Sequence, residues 1–298
     1  MHRLATLCLL VATSAAAAQP VYDIYIVTGQ SNARPGYARG VFDELVASGA
    51  SEHPVLFTQR HSGNSMVNWV DGPRGHETLG PNFLTDLWSP DDEAELSALI
   101  DRLGAFGAGC DIAGFFWFQG EADTGHDSEL PIYQRHFFYM LNKLQVAYGL
   151  DHRIPFVITV IDYNGDDDAL AAIGRTPEDV EAVRQTQFDL ADQVPYGTAY
   201  DSRGWPRLDV WHVGSFDDPD DIYRPVRQLG AAEADRLLEL PHPLSLADMN
   251  ADGVHDLSDV MTFIYSFRLG RPIADLAAPV DVFDLNDVQT FANAFIGR

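Results

Sequence analysis

Two distant segments of this sequence carry residue types that can act together in nucleophilic catalysis. In Gly29-Gln30-Ser31-Asn32, a serine follows closely after the apolar, β-branched run at residues 22–28. Far along the chain, Asp209 and His212 place a carboxylate and an imidazole three positions apart. A serine hydroxyl becomes an effective nucleophile when a histidine removes its proton and a carboxylate orients that histidine. Alone, the first segment is equally typical of a polar turn and the second is more typical of a surface turn, so their meaning depends on whether the fold brings them together.

A third segment also ends in polar residues, because Gln119, Glu121 and Asp123 follow the apolar run at residues 112–118. Acyl transfer needs hydrogen-bond donors aimed at the developing oxyanion. Glu121 and Asp123 suit a structural role equally well, in which they hold loops by accepting backbone hydrogen bonds. The candidate oxyanion donors are the backbone N–H groups of Ser31 and Gly63 and the side-chain amide of Gln119.

The order of apolar and amphipathic segments indicates how these residues are positioned. Between residues 20 and 240, strand-like runs alternate with stretches typical of amphipathic helices. This alternation predicts one α/β domain with a parallel sheet covered on both faces. The carboxyl ends of parallel strands meet at one edge of a sheet, where such folds place their ligands. The three polar segments are therefore expected to converge.

The ends and the charge of the chain limit where it works. Residues 1–18 are typical of a secretory signal peptide, because a positive start and a short apolar core precede small residues. No later segment is long and apolar enough to span a membrane, so we expect a secreted, extracellular protein. The net charge of -25 argues against nucleic acid as a partner. Removal of the signal peptide leaves Cys110 as the one cysteine, so no intramolecular disulfide is expected.

Beyond a short linker predicted at residues 241–245, the composition changes and the sequence repeats itself. The run at residues 256–260 recurs, with conservative changes, at residues 284–288. Before the first copy, residues 248–253 have the spacing of a calcium loop, which points alternate oxygens at a hard cation. The alternative is an acidic, capped turn without metal. The predicted ligands of this first loop are Asp248, Asn250, Asp252, the carbonyl of Val254, Asp256 and Asp259.

The second copy departs from this pattern, since Ala277 and Pro279 stand where side-chain ligands are expected and the loop is one residue longer. Residues 246–298 resemble a dockerin type I module, a small all-α, EF-hand-like unit. The resemblance implies Ca²⁺-dependent folding and docking onto a cohesin-type scaffold protein through residues such as Leu257, Ser258, Leu285 and Asn286. The candidate ligands of the degenerate second loop are Asp275, Asp284 and Asp287, with Asp281 beside them.

The polar segments of the α/β domain match, in order, the blocks of the SGNH hydrolase superfamily. Within it they are similar to the branch of sialate O-acetylesterases and acetyl xylan esterases, carbohydrate esterase family 6. The resemblance implies a three-layer α/β/α sandwich with a five-stranded parallel sheet. It makes Ser31 the nucleophile, His212 the base and Asp209 its orienter, with Ser31, Gly63 and Gln119 around the oxyanion. The supporting residues it implies are Gln30, Asn32, Glu121 and Asp123.

These observations favour a carboxylic ester hydrolase that removes O-acetyl groups from a carbohydrate, such as acetylated xylan, through an acetyl-enzyme. No cofactor is expected for catalysis, and calcium belongs to the tail. Two alternatives remain: an inactive, calcium-dependent docking or glycan-binding protein, and an SGNH hydrolase for another ester. The side chains expected to border the cleft and contact sugar are Arg34, Arg60, Trp69, Trp205 and Arg207.

Overall fold

A computed structural model describes residues 21–60, 66, 90–105, 109–125, 130–217, 221–241 and 243–297. The predicted signal peptide at residues 1–18 and two predicted site residues, Gly63 and Trp69, lie outside these ranges. No helix in the described ranges is long and apolar enough to cross a membrane.

A five-stranded sheet forms the centre of the α/β domain (residues 21–240). From one edge to the other its strands are Pro54–Thr58, Val21–Gly29, Gly109–Phe118, Phe156–Val160 and Gly197–Asp201, and all neighbours are parallel. This confirms the predicted five-stranded parallel sheet. The strands are β1 (Val21–Gly29), β2 (Pro54–Thr58), β3 (Gly109–Phe118), β4 (His152–Arg153), β5 (Phe156–Val160), β6 (Gly197–Asp201) and β7 (Leu244–Ser245). The helices are α1 (Pro35–Ser48), α2 (Pro90–Ala105), α3 (Leu130–Ala147), α4 (Asp167–Ala172), α5 (Pro177–Ala191), α6 (Arg224–Leu238), α7 (Leu257–Arg268) and α8 (Leu285–Phe295).

Two apolar cores lie on the two faces of the sheet, which gives the three-layer α/β/α arrangement. Successive side chains of a strand point to opposite faces. Accordingly, Phe115 and Trp117 of β3 pack with Phe137 of α3 in one core. Phe116 and Phe118 pack with residues of α1 and α6 in the other. Because both faces are covered, the inner strands are almost continuously apolar, as expected for a parallel sheet.

The tail (residues 246–297) contains helices α7 and α8, and each begins at an aspartate of the sequence repeat. Asp256 and Asp284 cap the two helices, and the next aspartate of each copy completes a capping box. Phe263 of α7 stacks on Phe291 of α8 with ring centroids 4.2 Å apart. The repeat in sequence is therefore a repeat in structure.

The tail packs against the α/β domain. Its residues Ala247, Met249 and Phe263 belong to the same apolar core as Phe138 of α3. Within the segment predicted as a linker, Leu244 and Ser245 form strand β7, which pairs antiparallel with β4 of the α/β domain. Together these contacts place the tail directly on the helix layer that includes α3.

Candidate active site

The proposed nucleophile lies in a tight turn at the carboxyl end of β1. Gly29 has a φ of 141°, and a Cβ at this position would lie 2.1 Å from the carbonyl oxygen of Phe118. Only glycine tolerates both the angle and this close approach to β3. The N–H of Gln30 then donates to the same carbonyl over 2.8 Å, which closes the turn and leaves Ser31 half-buried at the sheet edge.

The structure brings Ser31, His212 and Asp209 together. Nε2 of His212 lies 2.7 Å from Oγ of Ser31, and Nδ1 lies 2.7 Å from Oδ2 of Asp209. The other carboxylate oxygen of Asp209 accepts the backbone N–H groups of Trp211 and His212, both over 2.9 Å. This is the geometry of a histidine base between a hydroxyl nucleophile and an orienting carboxylate.

Hydrogen bonding also settles the charge of Asp209. Partial burial acts to raise the pKa of this carboxyl, but the hydrogen bonds from His212 and the backbone N–H of Trp211 outweigh that effect and lower the pKa. An ionised carboxylate at this position holds the imidazole with Nδ1 protonated, which leaves Nε2 to accept the serine proton.

Asn32 fastens the loop that carries His212 to the nucleophile turn. Its side chain is fully buried. The amide nitrogen donates to the carbonyl of Trp211 over 3.1 Å, and the amide oxygen accepts the N–H of Val213 over 3.0 Å. The backbone is therefore held on both sides of His212 by the residue that follows Ser31.

Gln30 acts in the same way towards the turn after β3. Its side-chain oxygen accepts the backbone N–H groups of Gly120 and Ala122 over 3.2 and 3.4 Å. The two supporting residues beside Ser31 thus fix two different loops, and neither side chain faces solvent.

Asp123 contacts Met66, a described residue near the segment predicted to supply an oxyanion donor. One carboxylate oxygen accepts the backbone N–H of Met66 over 2.7 Å, and the other accepts the side-chain amide of Gln119. The structural alternative proposed for Asp123 from the sequence therefore describes its contacts. The same carboxylate positions Gln119 relative to the chain that follows Gly63.

A buried polar network behind Gln119 was not predicted from the sequence. The carbonyl of Gln119 accepts the side-chain amide of Gln187 over 2.6 Å and the hydroxyl of Tyr133 over 3.3 Å. The oxygen of the Gln187 side chain accepts the N–H of Ile161 at the end of β5. The turn after β3 is therefore supported from α3, α5 and β5.

Glu121 is a buried carboxyl directly behind Asn32. One oxygen accepts the amide of Asn32 over 2.7 Å, while Oε2 is buried without a hydrogen-bond partner. Burial raises the pKa of Glu121, although the charges of Arg207 and His212 act in the opposite direction. Its contact with Asn32 makes it a positioning residue for the histidine loop.

Arg207, expected at the sugar-binding face, instead points into the protein, and its side chain is 2% exposed. Its guanidinium donates to the carbonyl of Trp211 over 2.9 Å and to the carbonyl and hydroxyl of Ser202. These hydrogen bonds and the carboxylate of Asp162, 3.8 Å away, compensate for burying the charge, so Arg207 supports the histidine loop from inside the protein.

Arg34 does lie at the mouth of the site. Its Nε donates to the carbonyl of Ser31 over 3.2 Å, and its guanidinium lies over the ring of Tyr223, 4.9 Å from the centroid. A groove of about 420 Å³ beside it extends to Arg60 and is lined by apolar side chains such as Phe42 and Leu56.

The first loop of the tail has donor chemistry that fits calcium. All its candidate ligands are oxygens, and positive φ angles at Ala251 and Gly253 make the sharp turn. The carboxylate of Asp248 accepts N–H groups from Asp252 and Gly253 within the loop. Among the described residues, no group of three or more His, Cys, Asp or Glu side chains could hold a metal ion, so a site here would also depend on Asn250 and a backbone carbonyl.

The second loop does not fit a metal ion. One oxygen of Asp275 is buried without a hydrogen-bond partner, and burial raises the pKa of this carboxyl to about 6. However, Ala277 and Pro279 offer no side-chain oxygens. Asp281 already forms an ion pair with Arg135 of α3, whose positive charge would oppose a second cation.

Comparisons with known proteins bear on the α/β domain. A family model described as "Carbohydrate esterase, sialic acid-specific acetylesterase" matches residues 61–215, more than half of the 298 residues. The matched range includes the segments of Gln119 and His212 but begins after Ser31. No curated protein matches the chain.

Several solved structures match this chain at low sequence identity. A protein from Arabidopsis thaliana is 14% identical and covers 74% of this chain and 98% of its own, with a TM-score of 0.48. Est24, a carbohydrate acetylesterase from Sinorhizobium meliloti, is 12% identical, covers 72% and 98%, and has a TM-score of 0.43. An acetyl xylan esterase, AlAXEase, is 14% identical, covers 83% and 97%, and has a TM-score of 0.34.

Proposed function

Because this chain belongs to the family of sialic acid-specific acetylesterases, which are carbohydrate esterases, we propose that it removes O-acetyl groups from a carbohydrate with Ser31 as nucleophile. The observation that carries the proposal is the chain of two 2.7 Å contacts from Ser31 through His212 to Asp209. The family match supports the proposed substrate class, and the geometry supports the choice of residues.

In the first half of the reaction, Oγ of Ser31 attacks the carbonyl carbon of the acetyl ester while Nε2 of His212 takes the hydroxyl proton. Asp209 stabilises the imidazolium that forms. The oxyanion is held by the N–H of Ser31, with Gly63 and Gln119 as the further donors. Collapse of the tetrahedral intermediate expels the sugar alkoxide, which receives the proton from His212.

In the second half, water attacks the acetyl-enzyme with His212 again as base, and acetate leaves as Ser31 regains its proton. Asn32, Gln30, Glu121 and Asp123 contact the reacting parts only through the loops they hold. They therefore act as positioning residues, and their role is to keep the three strand ends in one arrangement before substrate arrives.

The test is acetate release by the full chain from p-nitrophenyl acetate and from a panel of acetylated glycans that includes xylan and sialosides. Ser31→Ala and His212→Ala should each lower kcat/KM by roughly 10⁴-fold or more. Ser48→Ala and His53→Ala are matched controls outside the site and should leave turnover unchanged. If both site variants keep wild-type turnover, Ser31 and His212 are not the catalytic pair.

The same panel separates the alternatives. Hydrolysis of p-nitrophenyl acetate without hydrolysis of any acetylated glycan would favour an esterase for another substrate. Binding of glycans without any acetate release would favour a docking or glycan-binding protein. The glycan that gives the highest kcat/KM identifies the substrate class.

We further propose that the protein is secreted and that calcium binds the first loop of the tail. The signal-peptide pattern at residues 1–18 supports export, and the oxygen donors of the first loop support calcium. A cohesin-type partner would contact Leu257 and Leu285, which are 72% and 81% exposed at the starts of α7 and α8. A purified cohesin-type domain should bind the wild-type chain and should bind a Leu257→Asp, Leu285→Asp variant at least tenfold more weakly.

A further inference from the structure

The two loops of the tail share one internal scaffold. In the first loop, Asp259 accepts the backbone N–H groups of Met249 and Asn250 over 2.7 and 3.4 Å. In the second, Asp287 accepts those of Leu276 and Ala277 over 2.7 and 2.9 Å. Both aspartates are fully buried. The scaffold is therefore complete in both halves, and the loops differ in their other positions, where Ala277 and Pro279 lack side-chain oxygens, and in the partners of their remaining carboxylates.

In the two loops, these carboxylates are paired with residues from different parts of the chain. In the first loop, Asp252 accepts the side-chain amide of Asn250 and the N–H of Val254, which both belong to the loop. In the second loop, Asp281 pairs with the guanidinium of Arg135, and Asp275 accepts the side-chain amide of Asn142 over 3.3 Å. Arg135 and Asn142 both lie on α3 of the α/β domain. The second loop thus receives its compensating charge from another part of the chain.

A second arginine of the α/β domain reaches the same loop from β4. Arg153 is 1% exposed, and its guanidinium donates to the carbonyl of Ile273. It also interacts electrostatically with Asp275 and lies over the ring of Tyr196, 5.5 Å from the centroid. A guanidinium stays charged in proteins, so its burial under the tail requires these partners to stay in place.

The interface between the tail and the α/β domain extends on both sides of these polar groups. Asn142 donates to the carbonyl of Pro272 over 3.1 Å, and β4 pairs with β7 at the entrance to the tail. The apolar core beneath is shared between the tail and α3. The second loop therefore lies within an extended interface. In the first loop, Met249 also reaches the shared core, while residues 252–258 are exposed to solvent.

We propose that Arg135, Asn142 and Arg153 take the place of a metal ion in the second loop and latch the tail to the α/β domain, so that docking of the tail does not require calcium. The tail then binds calcium at no more than one loop, and that loop is the first. This inference does not depend on the esterase activity or on binding of a cohesin-type partner.

The first test is hydrogen exchange of the full chain, followed at residues 273–276 in the presence of a calcium chelator. Protection in the wild-type chain should be the same with chelator and with calcium. Arg135→Asp should raise the exchange rate there by roughly two- to fivefold or more, because a favourable pair becomes a repulsive one. Restored protection in the charge-swap variant Arg135→Asp, Asp281→Arg would attribute the effect to this ion pair and not to a general loss of stability.

Arg39→Asp is the matched control, since it breaks a comparable exposed ion pair with Asp43 on α1, away from the tail. It should leave exchange at residues 273–276 unchanged. Loss of protection in the wild-type chain on adding chelator would overturn the proposal. Equal exchange in Arg135→Asp and wild type would also overturn it.

The second test is calcium titration of an Asp248→Asn, Asp252→Asn variant of the full chain, in which the first loop is disabled. If Arg135, Asn142 and Arg153 take the place of a metal ion in the second loop, this variant should bind no calcium at the tail. Residual calcium binding that disappears on adding Asp275→Asn would show a metal site in the second loop and would contradict the proposal.

Discussion

The α/β domain and the tail both use buried polar side chains to hold loops, but they collect them over very different distances along the chain. In the active site, Asn32 holds the carbonyl of Trp211 from 179 residues away, and Asp123 holds Met66 from 57 residues away. In the tail, Asp259 and Asp287 hold backbone groups 10 and 11 residues away. The internal scaffold of each tail loop is thus local, whereas the active site exists only when the sheet has formed.

The two regions therefore depend on the overall fold to different degrees. A local loop is fixed by its own spacing, so it can be repeated and can lose a ligand without losing its scaffold. A site built from loops that follow different strands depends on contacts that join these loops to one another. Its supporting residues are therefore expected to matter almost as much as the groups that touch substrate.

The largest expected effect comes from removing the charge that orients His212. Asp209→Asn keeps the shape of the side chain but cannot hold Nδ1 protonated, because the amide can offer a donor in place of the carboxylate. We expect kcat to fall by about 10³- to 10⁴-fold with little change in KM, measured on p-nitrophenyl acetate. Asp43→Asn on the surface of α1 is the matched control. A loss below about tenfold would mean that Asp209 does not orient the base.

A smaller effect is expected from the residue that ties the histidine loop to the nucleophile turn. Asn32→Ala removes contacts on both sides of His212, and we expect kcat to fall by about 10²-fold. Asn142→Ala removes hydrogen bonds of similar number at the tail interface and should leave kcat unchanged. Equal kcat losses in the two variants would contradict the view that the contacts of Asn32 serve catalysis and those at the tail interface do not.

The pH dependence of stability provides a third comparison. Burial raises the pKa of Glu233 on α6 from 4.5 to about 8, although hydrogen bonds from Tyr37 and Thr159 act in the opposite direction. Between these pH values the folded chain keeps a proton that the unfolded chain releases. The contribution of Glu233 to stability is therefore complete below about pH 4.5 and is lost as the pH rises through 8.

Within this window the free energy of unfolding should fall by up to about 1.4 kcal/mol per pH unit on account of this group. Denaturant unfolding of wild type and Glu233→Gln between pH 5 and pH 8 measures the difference, since the variant lacks the group that titrates. Glu239→Gln, at the exposed end of α6, is the control and should keep the wild-type slope. A parallel dependence in wild type and Glu233→Gln would show that Glu233 keeps its charge when buried.

The smallest expected effect is that of chelator on catalysis. Because His212 and Ser31 lie in the α/β domain and the candidate calcium ligands lie in the tail, removal of calcium should change kcat by less than about twofold. The same treatment should increase hydrogen exchange in residues 249–254 of the first loop, as loss of a bound ion destabilises the state that holds it. A large loss of activity with chelator would mean that the two regions are coupled through calcium.

Much of this arrangement could be predicted from the sequence because apolar runs mark the strands and polar residues mark their ends. Ser31 and Gln119 follow that pattern, whereas His212 lies in the loop after β6, and the five-stranded parallel sheet was correctly predicted. The tail helices could be predicted from the repeat, since Asp256 and Asp284 cap them at matching positions. These features depend on local signals or on strand ends that share one edge.

Other features could not be predicted, because their meaning depends on partners that are distant in sequence. Arg207 was expected to contact sugar, since a charged residue beside a catalytic segment is usually exposed. The structure buries it because backbone carbonyls of Ser202 and Trp211 receive its guanidinium. Arg135 and Asn142 look like ordinary polar positions of an amphipathic helix, and nothing in the pattern of α3 names the tail as their partner.

We propose that Ser31 becomes acylated during turnover, because the fold brings it to His212 and Asp209. Acid quenching of the full chain during turnover of an acetyl ester, followed by mass spectrometry of its peptides, tests this directly. We expect the mass of one acetyl group on the peptide that contains Ser31, and its absence in Ser31→Ala. Turnover-dependent acetylation of a different residue, or undiminished acetate release by Ser31→Ala, would contradict the account.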